Sequence, residues 1–133
     1  MIHIELEEAQ IARLRYDAKT VELVLSSAPS SQPGAAADSR PVAGFRSDIV
    51  LRLEAAACQF DPGCRPGECV GAVQAARLQR DGQTVRRLPV PADWSGAFAL
   101  ELEMKNGTGL RVHASRLRLD LQSDSRFTES MTC

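Results

Sequence analysis

Histidine is scarce in this chain of 133 residues, and the common catalytic motifs are absent. The two histidines are His3 and His113, and neither belongs to a G-x-S-x-G, P-loop, Rossmann or H-E-x-x-H pattern. A cysteine or serine nucleophile needs a histidine base that a third group orients, and no such set is recognisable. We therefore predict no catalytic residue and no cofactor, and favour a role other than catalysis.

Long apolar runs and a strong net charge are also missing. No apolar stretch approaches the roughly 20 residues that span a bilayer. The start, Met1 to Glu8, lacks the cationic and apolar parts of an export signal and is more typical of a first strand. A formal charge of −1 produces no field that would attract a polyanion. These features predict a cytoplasmic protein that binds neither membranes nor nucleic acids.

Lysine is nearly absent as well, since only Lys19 and Lys105 accompany the many arginines. Together with abundant alanine, this bias is typical of a GC-rich bacterial gene, so we expect a bacterial protein. Aromatic residues make up only 5% of the chain. The core is therefore expected to be thin and built from Leu, Val and Ala, with little room for a large internal ligand.

Alternating apolar residues dominate what is present. From Trp94 to Leu121 every second residue is apolar, and Asn106-Gly107 interrupts the run, which predicts a β-hairpin. A three-residue loop would pair Leu100 and Leu102 with Leu110 or Val112 and keep one apolar face. The apolar parity changes after Ala114, so a bulge is predicted near Ser115-Arg116.

Further strands are predicted from the same alternation around residues 2–6, 12–16, 21–25 and 45–57. Asp81-Gly82 predicts a tight hairpin in which Leu78 faces Val85, and the same register would place Arg77 opposite Arg86. Residues 7–19 and 70–80 fit either strand or helix, and strand is favoured for the first. The fold class is all-β: an antiparallel β-sandwich or partly closed barrel of about seven to eight short strands, with room for one short helix.

Residues 1–133 have the size of a single domain. Residues 29–44 are rich in proline and small side chains, and they are predicted to form a long mobile loop. Residues 123–133 form a polar tail that frays or docks through Phe127.

Cysteines provide one candidate site, because Cys58, Cys64 and Cys69 bracket a loop rich in proline and glycine. Zinc takes four nitrogen or sulfur ligands, so these thiols would need a fourth ligand such as Cys133 or a histidine. Free thiols are one alternative, with Cys58 as a small buried apolar residue. A disulfide between Cys64 and Cys69 across a turn is another, although a reducing compartment would disfavour it. A metal-binding or oxidant-responsive site on these cysteines is the second functional hypothesis.

Arginines provide the other candidate site. A basic face would form if the strands that carry them adjoin, and its members would be Arg77, Arg80, Arg86, Arg87, Arg111, Arg116 and Arg118. The few aromatic residues are needed in the core, which counts against a single-strand nucleic-acid platform and favours an acidic protein partner. The alternative is a solvated surface without a role. The first functional hypothesis is thus a protein-binding or assembly module.

Overall fold

A computed structural model of the chain describes residues 2–32 and 40–129. These residues form twelve strands and one short 3-10 turn, Pro66–Glu68. The strands are β1 (Ile2–Ile4), β2 (Gln10–Asp17), β3 (Thr20–Gln32), β4 (Val42–Arg46), β5 (Ile49–Glu54), β6 (Ala57–Phe60), β7 (Gly71–Arg80), β8 (Gln83–Thr84), β9 (Leu88–Val90), β10 (Ala92–Met104), β11 (Gly109–Leu121) and β12 (Phe127–Glu129).

Six of these strands close into a ring through antiparallel pairing. Its order is β3, β2, β7, β10, β11, β5 and back to β3. The prediction of an antiparallel, nearly all-β fold is confirmed, and the strands outnumber the seven or eight expected because β1, β8, β9 and β12 are only two or three residues long. No helix within residues 2–32 and 40–129 is long and apolar enough to cross a bilayer.

Leucine and valine side chains fill the inside of the ring. Strand β5 shows why: Ile49, Leu51 and Leu53 are fully buried, whereas the intervening Arg52 and the following Glu54 are only half-buried. Strands β10 and β11 alternate in the same way and contribute Leu100, Leu117 and Leu119, among others. This alternation removes one face of each strand from water and leaves the charged face outside.

The long hairpin of β10 and β11 has the predicted register. Leu100 lies opposite Val112 and Leu102 opposite Leu110. Its turn closes with a hydrogen bond from the Met104 N–H to the Thr108 carbonyl at 2.8 Å, and Gly107 takes a φ of 91°. That positive φ favours glycine, which explains why the Asn-Gly pair marks this loop.

The predicted bulge is also present. Ser95 lies opposite Arg116 and Phe98 opposite Ala114, so β10 carries one extra residue where β11 changes its buried parity. The extra residue lies on β10 and not on β11, at the Gly96-Ala97 pair. Asp81 fixes the bulge, because its Oδ1 accepts a hydrogen bond from the Ala97 N–H at 2.8 Å.

Both ambiguous segments contain strands, β2 and β7, so the helical alternatives are wrong. The Asp81-Gly82 turn brings Leu78 and Val85 together as predicted, with the Val85 N–H donating to the Leu78 carbonyl at 2.8 Å. The predicted strand pair of Arg77 with Arg86 does not form, because β8 ends at Thr84; on its other side Arg77 lies opposite Glu101 of β10.

Both ends of the region predicted as a loop, residues 29–44, form strands. Strand β3 continues through Pro29 to Gln32 and β4 begins at Val42, and the two strands pair. Residues 33–39 of the predicted mobile loop 29–44 lie outside the described residues. The tail docks as one alternative proposed, because Phe127 of β12 pairs with Arg46 of β4. Residues 130–133, including Cys133, lie outside the described residues.

Candidate binding groove

The arginines predicted as a basic face lie among acidic side chains. Arg77 on β7 and Arg111 on β11 both lie opposite Glu101, one on each side of β10. Arg116 donates two hydrogen bonds to the Asp93 carboxylate, at 2.6 and 2.8 Å, and this pairing lowers the pKa of Asp93. The surface in this region therefore carries both signs of charge.

The other four arginines of the predicted basic face are not paired with a carboxylate among the described residues. The Arg80 guanidinium donates to the Ser95 carbonyl at 2.8 Å and lies 5.0 Å from the Trp94 ring centroid, a cation–π geometry. Arg118 follows the same outer face as Arg116. Arg86 and Arg87 are exposed in the segment that joins β8 to β9. A joint role of the seven arginines in binding stays a prediction.

The three cysteines lie near the end of the ring. Cys58 is half-buried on β6, Cys64 is half-buried in the following loop, and Cys69 is fully buried. Burial raises the pKa of the Cys58 thiol, and burial together with the neighbouring Cys64 and Cys58 raises the pKa of Cys69 to about 11. Within residues 2–32 and 40–129, no three His, Cys, Asp or Glu side chains converge in a way that would hold a metal ion.

The histidines lie apart from one another. His113 is exposed on β11, between Ala57 of β6 and Ala99 of β10 in the strand register. His3 is half-buried on β1, opposite Ser31 and Pro89. The residues directly opposite the histidines thus carry no thiol or carboxylate, and His3 shares a hollow of about 170 Å³ with Glu5.

A groove with a volume of about 610 Å³ lies beside strand β7. One wall is the segment Glu5–Glu8, which joins β1 to β2, and the opposite wall is β7 from Ala76 to Leu78 with the chain from Thr84 to Leu88. Leu6, Leu78 and Leu88 are buried beneath it and form an apolar floor. We call this hollow the β7 groove. Its volume lies within the range of ligand sites.

The groove lies where the ring has its shortest strand pairing, between β2 and β7. These strands pair only through Gln10 with Ala72 and Ile11 with Gly71. One further contact follows, in which Val73 exchanges backbone hydrogen bonds with Ala9 and Glu8 at 2.9 and 3.2 Å. Beyond Val73 the Glu5–Glu8 segment separates from β7, and the next backbone partner on that side of β7 is Val85, bonded to Leu78.

Between these two contacts, the backbone of Ala76 faces the groove. The Leu78 carbonyl bonds to Val85 and therefore points away from β10, whereas the Asp81 N–H bonds to Ala97 of β10 at 2.8 Å. Since backbone groups alternate in direction along a strand, residues 77 and 79 face β10 and residue 76 faces the groove. No backbone hydrogen bond on this side joins Ala76 to another described residue. Its N–H and C=O are an open piece of strand edge.

The two walls carry opposite charges. Glu5, Glu7 and Glu8 lie on one wall, Arg77 and Arg86 on the other, and all five are exposed. None of them lies within ion-pair distance of an opposite charge among the described residues, in contrast to Arg13, Arg52 and Arg116. These charges therefore remain open to a ligand.

Sequence reasoning found Arg77 and Arg86 but missed the groove itself. Glu5 and Glu7 alternate with Leu6, and because such alternation is typical of a solvated strand face, the sequence does not mark them as part of a site. The Asp81-Gly82 turn contains part of the information needed to predict the groove, because its hairpin register determines the direction of the Leu78 carbonyl. The separation of the Glu5–Glu8 segment from β7 depends on how the ring closes, and no local pattern encodes it.

Comparison of the chain with known protein families, with curated proteins and with solved structures found no match.

Proposed function

We propose that this protein is a binding module without catalytic activity, and that it captures an extended segment of a partner protein in the β7 groove. The observation that carries the proposal is the open backbone edge at Ala76 above an apolar floor. An extended segment that adds to such an edge gains main-chain hydrogen bonds from the strand and apolar contacts from the floor. The unpaired charges on the groove walls supply polar partners at its rim.

The arrangement of functional groups also favours binding over chemistry. The histidines lie opposite alanine, serine and proline in the strand register, and the groove presents carboxylates and guanidinium groups without a nucleophile beside a base. Acidic side chains of a partner could form ion pairs with Arg77 and Arg86, so the proposed partner includes acidic residues.

A photo-crosslinking experiment tests this function. A photoreactive amino acid at Thr84 lines the groove, whereas the same group at the adjacent exposed Gln83 does not. In cells that carry the full chain, the Thr84 probe should crosslink a defined partner, and Ala76→Pro should abolish the product because it removes the N–H that faces the groove. Equal crosslinking from both positions, or none from Thr84, would contradict the proposal.

We further propose that the protein works in a bacterial cytoplasm. The arginine-rich, lysine-poor composition suits a GC-rich gene, and the thiols of Cys58, Cys64 and Cys69 are free. Free thiols suit a reducing compartment. Fractionation of cells that carry the chain, followed by immunodetection, tests the location, and recovery in a secreted fraction would contradict it.

A thiol-based site is the alternative function. The proximity of Cys58 and Cys64 to Cys69 favours it, because both neighbours contribute to the raised pKa of Cys69. A metal would have to lower that pKa strongly, since zinc binds thiolates. Metal analysis of protein purified without chelator decides between the two: about one zinc per chain with protected thiols would support the thiol site, and titratable thiols without metal would reject it.

A further inference from the structure

We infer that the partner segment of the β7 groove carries charges of both signs. It is an extended stretch with a small apolar residue between one basic and one acidic side chain. This inference rests on the proposed function and specifies the chemistry of its ligand. The basic side chain would face the Glu5–Glu8 wall, and the acidic side chain would face Arg77 and Arg86.

The charges of the walls exclude the simpler alternatives. A uniformly acidic segment would be attracted by two guanidinium groups and repelled by three carboxylates. A uniformly basic segment would be attracted by the carboxylates and repelled by the guanidinium groups. A segment with both signs satisfies both walls. Elsewhere on this surface arginines already pair with carboxylates, as Arg116 does with Asp93 and Glu54. The β7 groove lacks such pairs within the described part of the chain, which leaves its charges to a ligand.

The floor and the edge determine the middle of the segment. Ala76 offers one N–H and one C=O, which suits a single residue of an adjoining strand. Side chains alternate along that strand, so the residues on one face point towards Leu6, Leu78 and Leu88. The distance along β7 from Val73 to Leu78 corresponds to roughly 17 Å of strand, which a segment of about five residues would fill.

A second hollow lies next to the β7 groove. It has a volume of about 270 Å³ and shares Ala76 and Arg77 with the β7 groove. Glu103 and Arg111 line it further along, so both signs of charge recur there. This second hollow crosses from β7 over β10 to β11 and does not extend the open edge of β7.

Selection from a random peptide library tests the inference. Displayed peptides of about ten residues are selected on the purified full chain, and each selected peptide is then located by its effect on the amide resonances of the protein. We expect peptides with a basic and an acidic residue flanking small apolar residues, with shifts at Glu5–Glu8 and at the Ala76 amide. Groove-bound peptides of uniform charge, or without charge, would overturn the inference and leave the proposed function standing. Peptides that bind elsewhere, or no selected peptides, would overturn both.

Charge reversal supplies a matched control. Glu7→Lys should weaken the selected peptides by roughly three- to five-fold at low salt, and replacing their basic residue with glutamate should restore the affinity. Asp124→Lys changes the net charge equally at an exposed position outside the groove and should leave the affinity unchanged. An equal effect of the two variants would show that only the net charge matters and would overturn the inference.

Discussion

Two adjacent proline substitutions on β7 should have very different costs. Arg77 directs its N–H towards β10, where it lies opposite Glu101. Ala76 directs its N–H into the β7 groove. Proline removes the N–H in both cases, so Arg77→Pro loses a ladder hydrogen bond and Ala76→Pro loses none.

The expected magnitudes follow from these bonds. Arg77→Pro leaves the Glu101 carbonyl without its donor, which costs about 1–3 kcal/mol, and the proline ring also pushes against β10. We expect a loss of about 3 kcal/mol of unfolding free energy. Ala76→Pro restricts φ without breaking a bond, and we expect a loss of about 1 kcal/mol or less. Stabilities of roughly 5–15 kcal/mol are typical of single domains, so both variants should still fold.

Urea unfolding measures both free energies, with the fluorescence of the single tryptophan, the half-buried Trp94, as the probe. The unmodified chain and both variants are unfolded at the same protein concentration, and the free energies are extrapolated to water. A difference of about 2 kcal/mol between the unfolding free energies of the two variants would support the conclusion that the Ala76 N–H faces the β7 groove. Equal losses, or a greater loss for Ala76→Pro, would refute it.

Three further predictions concern other parts of the molecule. Ser30→Ala should raise the unfolding free energy by about 1 kcal/mol, because the buried Ser30 hydroxyl has no hydrogen-bond partner in the described structure. Asp81→Ala should lower it by about 1–2 kcal/mol through loss of the acceptor for the Ala97 N–H, and Asp81→Asn should restore most of the loss. At pH 9 the raised pKa of Cys69 leaves it at least about 50-fold less thiolate than an ordinary thiol, so iodoacetamide should modify it last.

Each of these predictions has a clear contrary result. The first two are measured by urea unfolding. Ser47→Ala is the control for Ser30→Ala, because the Ser47 hydroxyl accepts a hydrogen bond from the Arg126 N–H and its removal should lower the unfolding free energy. A loss of stability in Ser30→Ala, or equal effects of the two Asp81 variants, would contradict the assignments. Mass spectrometry reads the alkylation, and early modification of Cys69 in the folded protein would contradict its burial.

Much of the fold could be predicted from local patterns. The alternation from Trp94 to Leu121 and the Asn106-Gly107 turn determine the long hairpin, because strand side chains have a period of two and the turn requires a positive φ. The change of parity after Ala114 located the bulge for the same reason. The extra residue was assigned to β11 and lies on β10, because parity alone does not tell which strand of a pair is longer.

The candidate site was harder to predict, because it depends on contacts between distant segments. The conflict between Arg77 and Arg86 was real in the hairpin register, and the structure avoids it by ending β8 at Thr84. Val85 still donates a backbone hydrogen bond to β7, but the segment between Val85 and β9 makes no further one within the described part of the chain, and this helps to open the groove. Composition and periodicity carry no information about where a ring of strands closes poorly, so the unpaired backbone of Ala76 could not be inferred from them.

Hydrogen exchange of individual backbone amides is the most direct test of the open edge on which the proposed function depends. The full chain is placed in deuterated buffer and the amide signals are followed by nuclear magnetic resonance. The Ala76 amide is expected to exchange quickly, whereas the Arg77 amide, bonded within the sheet, is expected to be protected. Equal protection of the two amides would mean that the edge of β7 is closed, and would contradict the proposed binding site.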